Sequence, residues 1–355
     1  MEQKRTRVLC ALSGGVDSSL ALALLHEAGR EVIGVTLHLW DAEGEQKVGR
    51  CCAPEDREDA RRTCELLGVP HYVLDERAAF RAHVVDPFID SNLAGHTPSP
   101  CVRCNQHVKL KRLIEIAQSF GASHVATGHY AGVMHAADGS VQLVRGADRD
   151  KDQSYFLFGV PQSILARLVL PLADMTKPEA REHARRLGLP NWNKPDSQEL
   201  CFVPTGDVRG FIASERIGTG QPGPILDEHG ARVGEHHGLE GFTIGQRRGL
   251  GLGGGPVRYV LRIVPERNSV VVGGEDGLLA RSLRASHATW IGQAPHAPFE
   301  ADVQIRYRHG AARALIKPLD GGFEAEFLEP QRAIAPGQAA VVYAGAQVLG
   351  GGFIV

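Results

Sequence analysis

Apolar residues fall along this chain in two rhythms. Through the first half, short solid apolar runs alternate with stretches in which apolar positions recur every three or four residues, the pattern of buried parallel strands alternating with helices. Residues 7–12 predict a strand, and 18–28 a helix with Leu20, Ala21, Leu24 and Leu25 on its buried side and Gly29 as its stop. Residues 32–39 predict the next strand, 55–67 a helix ended by Gly68, 72–74 a strand, 108–120 a basic helix, and 124–127 a short strand. Beyond about residue 205 the rhythm changes. Seven glycines between 241 and 255 are too many for a helix or regular strand and predict a sharply bending loop or linker. From 282 onward, short alternating runs at 301–307, 312–316, 322–327 and 339–343 lie between Gly, Pro and Asp turns, which predicts a small β-barrel or sandwich. The expected fold is therefore α/β. A Rossmann-like parallel sheet occupies 1–205, a small central domain 206–278 and a C-terminal β-barrel 279–355.

A length of 355 residues fits this division at roughly 100–200 residues per domain. The composition, 43% hydrophobic and 23% charged with a net charge of −2, is that of an ordinary soluble protein. The near-neutral charge argues against a generally basic nucleic-acid binder, though clustered patches can still supply such a footprint. No run reaches the roughly 20 apolar residues of a membrane span, and the apolar stretch after Lys4-Arg5 is too short for a signal peptide. A cytoplasmic protein without a membrane partner is expected. Seven cysteines in that compartment point to thiol, metal or catalytic chemistry rather than a disulfide framework.

The most informative stretch is Ser13-Gly14-Gly15-Val16-Asp17-Ser18-Ser19 between the first strand and the first helix. Two glycines let backbone approach a phosphate, and the helix start offers unpaired N–H groups. The stretch lacks the spacer and Lys of a Walker A loop and does not fit G-x-G-x-x-G. It resembles the PP-loop of the ATP pyrophosphatases, which present the α-phosphate of ATP to a nucleophile. Asp17 either caps the helix or helps hold Mg²⁺. Ala126-Thr127-Gly128-His129-Tyr130 follows a strand at the carboxyl edge of the same sheet, where open α/β sheets bind ligands.

Pro98-Ser99-Pro100-Cys101-Val102-Arg103-Cys104-Asn105 precedes the basic helix, and Asp196-Ser197-Gln198-Glu199-Leu200-Cys201-Phe202-Val203 follows far downstream. Together with Cys51-Cys52-Ala53-Pro54-Glu55-Asp56, Lys151-Asp152-Gln153-Ser154-Tyr155, Gly245-Gln246-Arg247-Arg248-Gly249-Leu250-Gly251 and Arg306-Tyr307-Arg308, these motifs resemble the tRNA-specific 2-thiouridylase (MnmA/TrmU) family. The resemblance spans nearly the whole chain.

The resemblance implies ATP-dependent 2-thiolation of the wobble uridine in tRNAs for Lys, Glu and Gln. Adenylation of the uracil C2 oxygen makes it a leaving group, and sulfur replaces it. It implies Cys104 as the nucleophile and Cys201 as the persulfide carrier, with a disulfide between them after transfer. ATP and Mg²⁺ are the implied cofactors, with Ala11, Leu12, Ser13, Gly14, Gly15, Val16, Asp17, Ser18, Leu37 and Gly128 around the nucleotide. Ser99, Pro100 and Cys101 are implied beside the target base, and His129, Lys151, Asp152, Gln153, Arg306, Tyr307 and Gln338 against the tRNA. A persulfide donor such as a cysteine desulfurase or relay protein is the other implied partner, and a monomer is expected.

One departure stands out. Part of the family carries Asp where this chain has Cys101. Cys101, Cys104 and Cys201 are then candidate ligands of a [4Fe–4S] cluster with one open iron. The persulfide relay is favoured over the cluster, and structural zinc lies behind both. Cys51 and Cys52 read as structural residues flanking a helix, Cys10 and Cys64 as small core residues. Two competing functions are a nitrogen-transferring PP-loop ligase, which has no need of Cys104 and Cys201, and a zinc-stabilised RNA-binding adaptor.

Overall fold

The computed structural model describes residues 6–41, 54–136, 139–196, 200–203, 206–253 and 255–355. Cys51, Cys52 and the Ser197-Gln198-Glu199 portion of the downstream motif lie outside the described residues.

The N-terminal sheet is parallel, in the order His71–Asp75, Glu31–His38, Arg7–Ala11, His124–Ala126, Leu168–Val169. Its central strand is buried on both faces, with Val8, Leu9 and Cys10 at 2% exposure or less, which explains its unbroken apolar run. From that strand the chain first winds one way through Glu31–His38 and His71–Asp75. It then returns to lay His124–Ala126 on the other side of Arg7–Ala11. The strand order thus reverses beside Arg7–Ala11, and the crevice at such a reversal is where open α/β sheets hold ligands.

Helix Val16–Glu27 starts two residues earlier than its apolar pattern indicates, because Val16 is itself buried and Gly15 is the N-cap. Its Leu- and Ala-rich interior favours a helix, and Gly29, at φ 72°, follows its end. The helix predicted over 108–120 is the end of a longer helical stretch. Pro100–Arg103 runs into a π-helical segment, Cys104–Lys109, and then into Leu110–Ala117. Such wide turns are costly and recur at functional sites.

The central domain is a four-stranded sheet of Tyr259–Val264, Ser269–Gly273, Gly223–Leu226 and Arg232–His236 around its own core of Ile225, Val260, Val270 and Val272. In the glycine-rich stretch, buried Leu250 anchors the chain while Arg247 and Arg248 are exposed. At the C-terminus, strand Leu279–Trp290 pairs with both Gly322–Arg332 and Gln347–Ile354, closing a β-barrel. Sequence periodicity did not reveal that the hairpin Ala131–His135/Val141–Arg145, from the N-terminal part of the chain, joins this barrel's sheet. Leu143 registers with Val348 and Val144 with Gln347. The barrel and the N-terminal α/β part of the chain are therefore tied together by backbone pairing.

Candidate active site at the reversal of strand order

Leaving the central strand, the backbone turns through Ser13 to Gly15. Gly14 has φ 74°, and a Cβ there would lie 2.1 Å from the Asp56 carbonyl oxygen, so both conformation and space demand glycine. The Ser18 hydroxyl donates to the Gly15 carbonyl at 3.0 Å and accepts from the Ser13 N–H at 3.1 Å, fixing the turn from inside. On the neighbouring strand's exit, a Cβ on Gly128 would lie 2.6 Å from the Asp17 carbonyl carbon. The two segments picked out in the sequence are thus packed backbone to backbone.

Asp17 does not cap its helix. The Gly15 N-cap has no side-chain cap bond. The Asp17 carboxylate instead accepts from the Tyr130 hydroxyl at 2.8 Å and from Lys177 Nζ at 2.7 Å on each oxygen. Burial and Asp17 both keep the Tyr130 phenol protonated. Lys194 Nζ donates to the Gly14 carbonyl at 3.3 Å and to Asp59 at 2.5 Å, and also pairs with Asp56. Asn191 Nδ2 donates to the same Gly14 carbonyl and to Ser19 Oγ, both at 2.9 Å. Lys177, Asn191 and Lys194 were not singled out from the sequence. The usable signal for Lys177 was the Thr176-Lys177-Pro178-Glu179 helix start, whose capping box the structure contains. Lys194 stands two residues before the downstream cysteine motif.

A cleft of about 660 Å³ opens from this loop. Ser13, Gly15, Val16 and Asp17 line one end, and Ser99, Pro100, Cys101, Lys151, Gln153, Tyr307 and Gln338 line the rest, with Lys177, Lys194 and Asp196 among its walls. Gln338 on the barrel donates to the Thr97 and Pro98 carbonyls at 2.9 and 3.4 Å, pinning the segment that carries Ser99 to Cys101. Tyr307 lies 4.5 Å from the Phe156 ring and offers an aromatic wall of the kind on which splayed RNA bases stack.

Other expected residues sit elsewhere. Ala11 and Leu12 lead from the strand into the loop, Gly14 is its buried turn, and Leu37 is a core residue at 7% exposure. Asp152 is 6% exposed, and its carboxylate accepts from Arg145, Ser154 and the Gly146 N–H. It shapes the turn that presents Lys151 and Gln153. His129 bonds Thr127 Oγ1 at 2.7 Å and, by burial and the nearby Lys109 charge, is pushed down to about 3, so it stays neutral at physiological pH. Arg306 is half-buried and does not line the cleft, although its neighbours Tyr307 and Arg308 do.

The three cysteines are differently placed. Cys101 is exposed and lines the cleft; Cys104, 6% exposed, belongs to the main core cluster; Cys201 is half-buried and packs against that cluster. Among the described residues no three His, Cys, Asp or Glu side chains are gathered as a metal would require. In this arrangement the cysteines do not fit a [4Fe–4S] cluster. The loop end does suit a polyphosphate, because the start of helix Val16–Glu27 and the ammonium groups of Lys177 and Lys194 face the same cleft.

Burial would raise Asp196, but hydrogen bonds from Lys151 and Lys177 outweigh it and bring it down to about 2. That is below the ordinary Asp value of about 3.9, so its stabilising contribution is complete above about pH 4 and disappears as pH falls toward 2. Unfolding free energies from urea titrations are expected to fall between pH 4 and 2 by roughly 1–2 kcal/mol more for wild type than for Asp196→Asn, after solvent screening. Equal slopes would contradict this.

A strand–glycine loop–helix at a sheet reversal, sharing a cleft with a cysteine-bearing helix, defines an α/β protein with an appended barrel. Family models agree with the fold. Residues 6–205 match a tRNA methyl transferase HUP domain, 210–274 a tRNA methyl transferase PRC-barrel domain, and 280–354 an aminomethyltransferase β-barrel domain. The chain is 50% identical to the tRNA-specific 2-thiouridylase MnmA of Sorangium cellulosum, over 98% of this chain and 92% of that one. It is 48% identical to MnmA of Chloroflexus aurantiacus over 98% of both chains. The chain belongs to the tRNA-specific 2-thiouridylase family, enzymes of tRNA modification that transfer sulfur. Among the described residues no helix is long and apolar enough to cross a membrane.

Proposed function

We propose that this enzyme 2-thiolates the wobble uridine of tRNAs for Lys, Glu and Gln, using ATP. The carrying observation is the single cleft that runs from the Ser13–Asp17 loop past Ser99 to Cys101 and on to Tyr307 and Gln338 of the barrel. A base splayed from the anticodon loop, already single-stranded, enters it at low cost. The uracil C2 oxygen attacks the α-phosphate of ATP, pyrophosphate leaves, and the base carries an O-adenylate. The loop N–H groups and Lys177 counter the phosphate charge. Mg²⁺, held by the phosphates beside Asp17, would add charge neutralisation.

The outer sulfur of a Cys201 persulfide then attacks C2, and AMP departs with the oxygen. Cys104 thiolate attacks Cys201 Sγ, the base leaves with the outer sulfur as 2-thiouridine, and a Cys104–Cys201 disulfide remains. A thiol reductant supplies two electrons per turnover to reopen it, and a persulfide donor such as a cysteine desulfurase or relay protein reloads Cys201. Since neither Cys104 nor Cys201 lines the cleft, both must emerge into it during the cycle. The enzyme acts as a monomer in the cytoplasm.

The test is product stoichiometry on unmodified tRNA with ATP, Mg²⁺ and a persulfide donor. AMP, pyrophosphate and 2-thiouridine are expected in equal amounts, with none formed when the wobble base is cytidine. Release of ADP, or AMP formation indifferent to the wobble base, would overturn the reading.

A further inference from the structure

The peptide that joins Gly14 to Gly15 has a glycine at each end, so it is the peptide of the loop with the least steric resistance to turning over. Gly14 sits at φ 74° and Gly15 at φ −85°. Turning over would carry Gly15 to positive φ, which glycine accepts about as readily as negative φ. The direction matters, because a planar trans peptide presents its N–H on one side and its carbonyl on the other. Here the Gly14 carbonyl accepts from Asn191 Nδ2 at 2.9 Å and from Lys194 Nζ at 3.3 Å. Asn191 is 3% exposed and takes no part in the cleft wall, whereas Gly15 lines it. The Gly15 N–H is therefore turned toward the cleft.

Asn191 is held for this contact by its own segment. Leu189 is fully buried and packs with Val16 and Leu20 of helix Val16–Glu27. The Lys194 N–H donates to the Asn191 carbonyl at 3.0 Å, closing a turn that puts both side chains on one acceptor. A carbonyl only accepts, so the amide nitrogen is the end of Asn191 that faces Gly14, and it donates to Ser19 Oγ at 2.9 Å as well. Its oxygen, Oδ1, is buried with no hydrogen-bond partner among the described residues. A buried amide with one end unpaired lowers stability, so the value of this one lies in what its nitrogen holds.

We propose that Asn191 is a positioning residue that locks the Gly14–Gly15 peptide with its N–H toward the phosphates of the nucleotide. The proposal rests on the reading of the cleft as an ATP site. Turned over, the same peptide would present a carbonyl oxygen to a polyphosphate and repel it. Asn191 and Lys194 hold that carbonyl away, and their donations polarise the peptide so that its N–H is a stronger donor. A donor fixed in advance costs no reorganisation as charge gathers on the departing pyrophosphate. Lys194 is shared with Asp56 and Asp59, which leaves Asn191, at the shorter distance, as the main lock.

The experiment measures two dissociation constants by calorimetry in the full-length protein. One is for a non-hydrolysable ATP analogue with Mg²⁺, the other for adenosine, which has the base and ribose but no phosphate. Asn191→Ala is expected to weaken the analogue roughly tenfold, the scale of one hydrogen bond to a charged group, and to change adenosine less than about twofold. Asn191→Asp keeps the side chain's shape but presents an acceptor, which favours the turned-over peptide, and is expected to weaken the analogue roughly a hundredfold. Loss of packing alone predicts the reverse order, since alanine leaves the larger hole. The matching shape of Asn191→Asp also keeps the test decisive if Asn191→Ala folds poorly by circular dichroism. Trp192→Ala, in the same turn but 39% exposed, is the control and is expected to leave both constants within about twofold. Unchanged analogue affinity in folded Asn191→Asp, equal loss of analogue and adenosine, or a larger loss from alanine than from aspartate would each overturn the proposal. Failure of the thiolation reading would show separately, as wild type that binds the analogue yet forms no 2-thiouridine.

Discussion

Cys201→Ser and Cys104→Ser proteins are expected to form no 2-thiouridine above roughly one part in 10⁴ of wild type, the scale on which loss of a covalent nucleophile is felt. The two should fail at different stages. Cys201→Ser cannot carry the persulfide, yet should still release pyrophosphate in a single burst when tRNA and ATP are present. Cys104→Ser should accumulate tRNA joined to Cys201 through a disulfide, which added thiol releases as 2-thiouridine. Gel analysis with and without reductant distinguishes these outcomes. Cys101→Asp, which places there the residue that part of the family carries, is expected to keep turnover within about tenfold of wild type. Complete loss in Cys101→Asp, with Cys104→Ser and Cys201→Ser no more impaired, would instead mark three equivalent ligands. A nitrogen-transferring ligase would tolerate both serine substitutions.

Gly14→Ala is expected to be the most damaging single change outside the cysteines. The new Cβ would fall 2.1 Å from the Asp56 carbonyl oxygen, a backbone atom that cannot swing aside. Alanine at φ 74° adds strain of its own. The strained position alone costs on the order of 1–3 kcal/mol. Displacing the loop by about an ångström should lower ATP-dependent thiolation roughly a hundredfold through lost phosphate alignment. Gly29→Ala is the control: it has a similar φ of 72° but nothing within 4 Å of the added carbon, so it carries strain without the collision. Thermal midpoint and pyrophosphate release, measured together, separate the two contributions. Equal loss of pyrophosphate release in both variants would show that the collision with Asp56 does not matter.

What the sequence revealed divides by the distance over which each feature is built. The strand–loop–helix setting of residues 13–19 was legible because its signal is local: two glycines, serines and an aspartate stand between a strand and a helix. The parallel sheet was legible because solid apolar runs such as 7–12 mean burial on both faces. The role of Asp17 was not legible. Its partners Tyr130 and Lys177 lie 113 and 160 residues away, and no local pattern announces such a pairing. The same holds for hairpin Ala131–His135/Val141–Arg145, whose alternation reads like any hairpin and whose attachment to the barrel rests on pairing with Gln347 and Val348. Asp152 shows the limit of motif correspondence. Its position beside Lys151 and Gln153 was legible, but its buried bonds to Arg145 and Ser154 depend on the tertiary fold. The burial of Cys104 was likewise hidden, since the C-x-x-C spacing falls where helix Pro100–Arg103 widens into a π-helical turn.

The most direct measurement is 2-thiouridine formation on unmodified tRNA by protein purified without oxygen and stripped of iron, supplied with ATP, Mg²⁺, a persulfide donor and a thiol reductant. Many turnovers per enzyme are expected, with AMP, pyrophosphate and 2-thiouridine rising together. Activity that appears only after an iron–sulfur cluster is restored would contradict it.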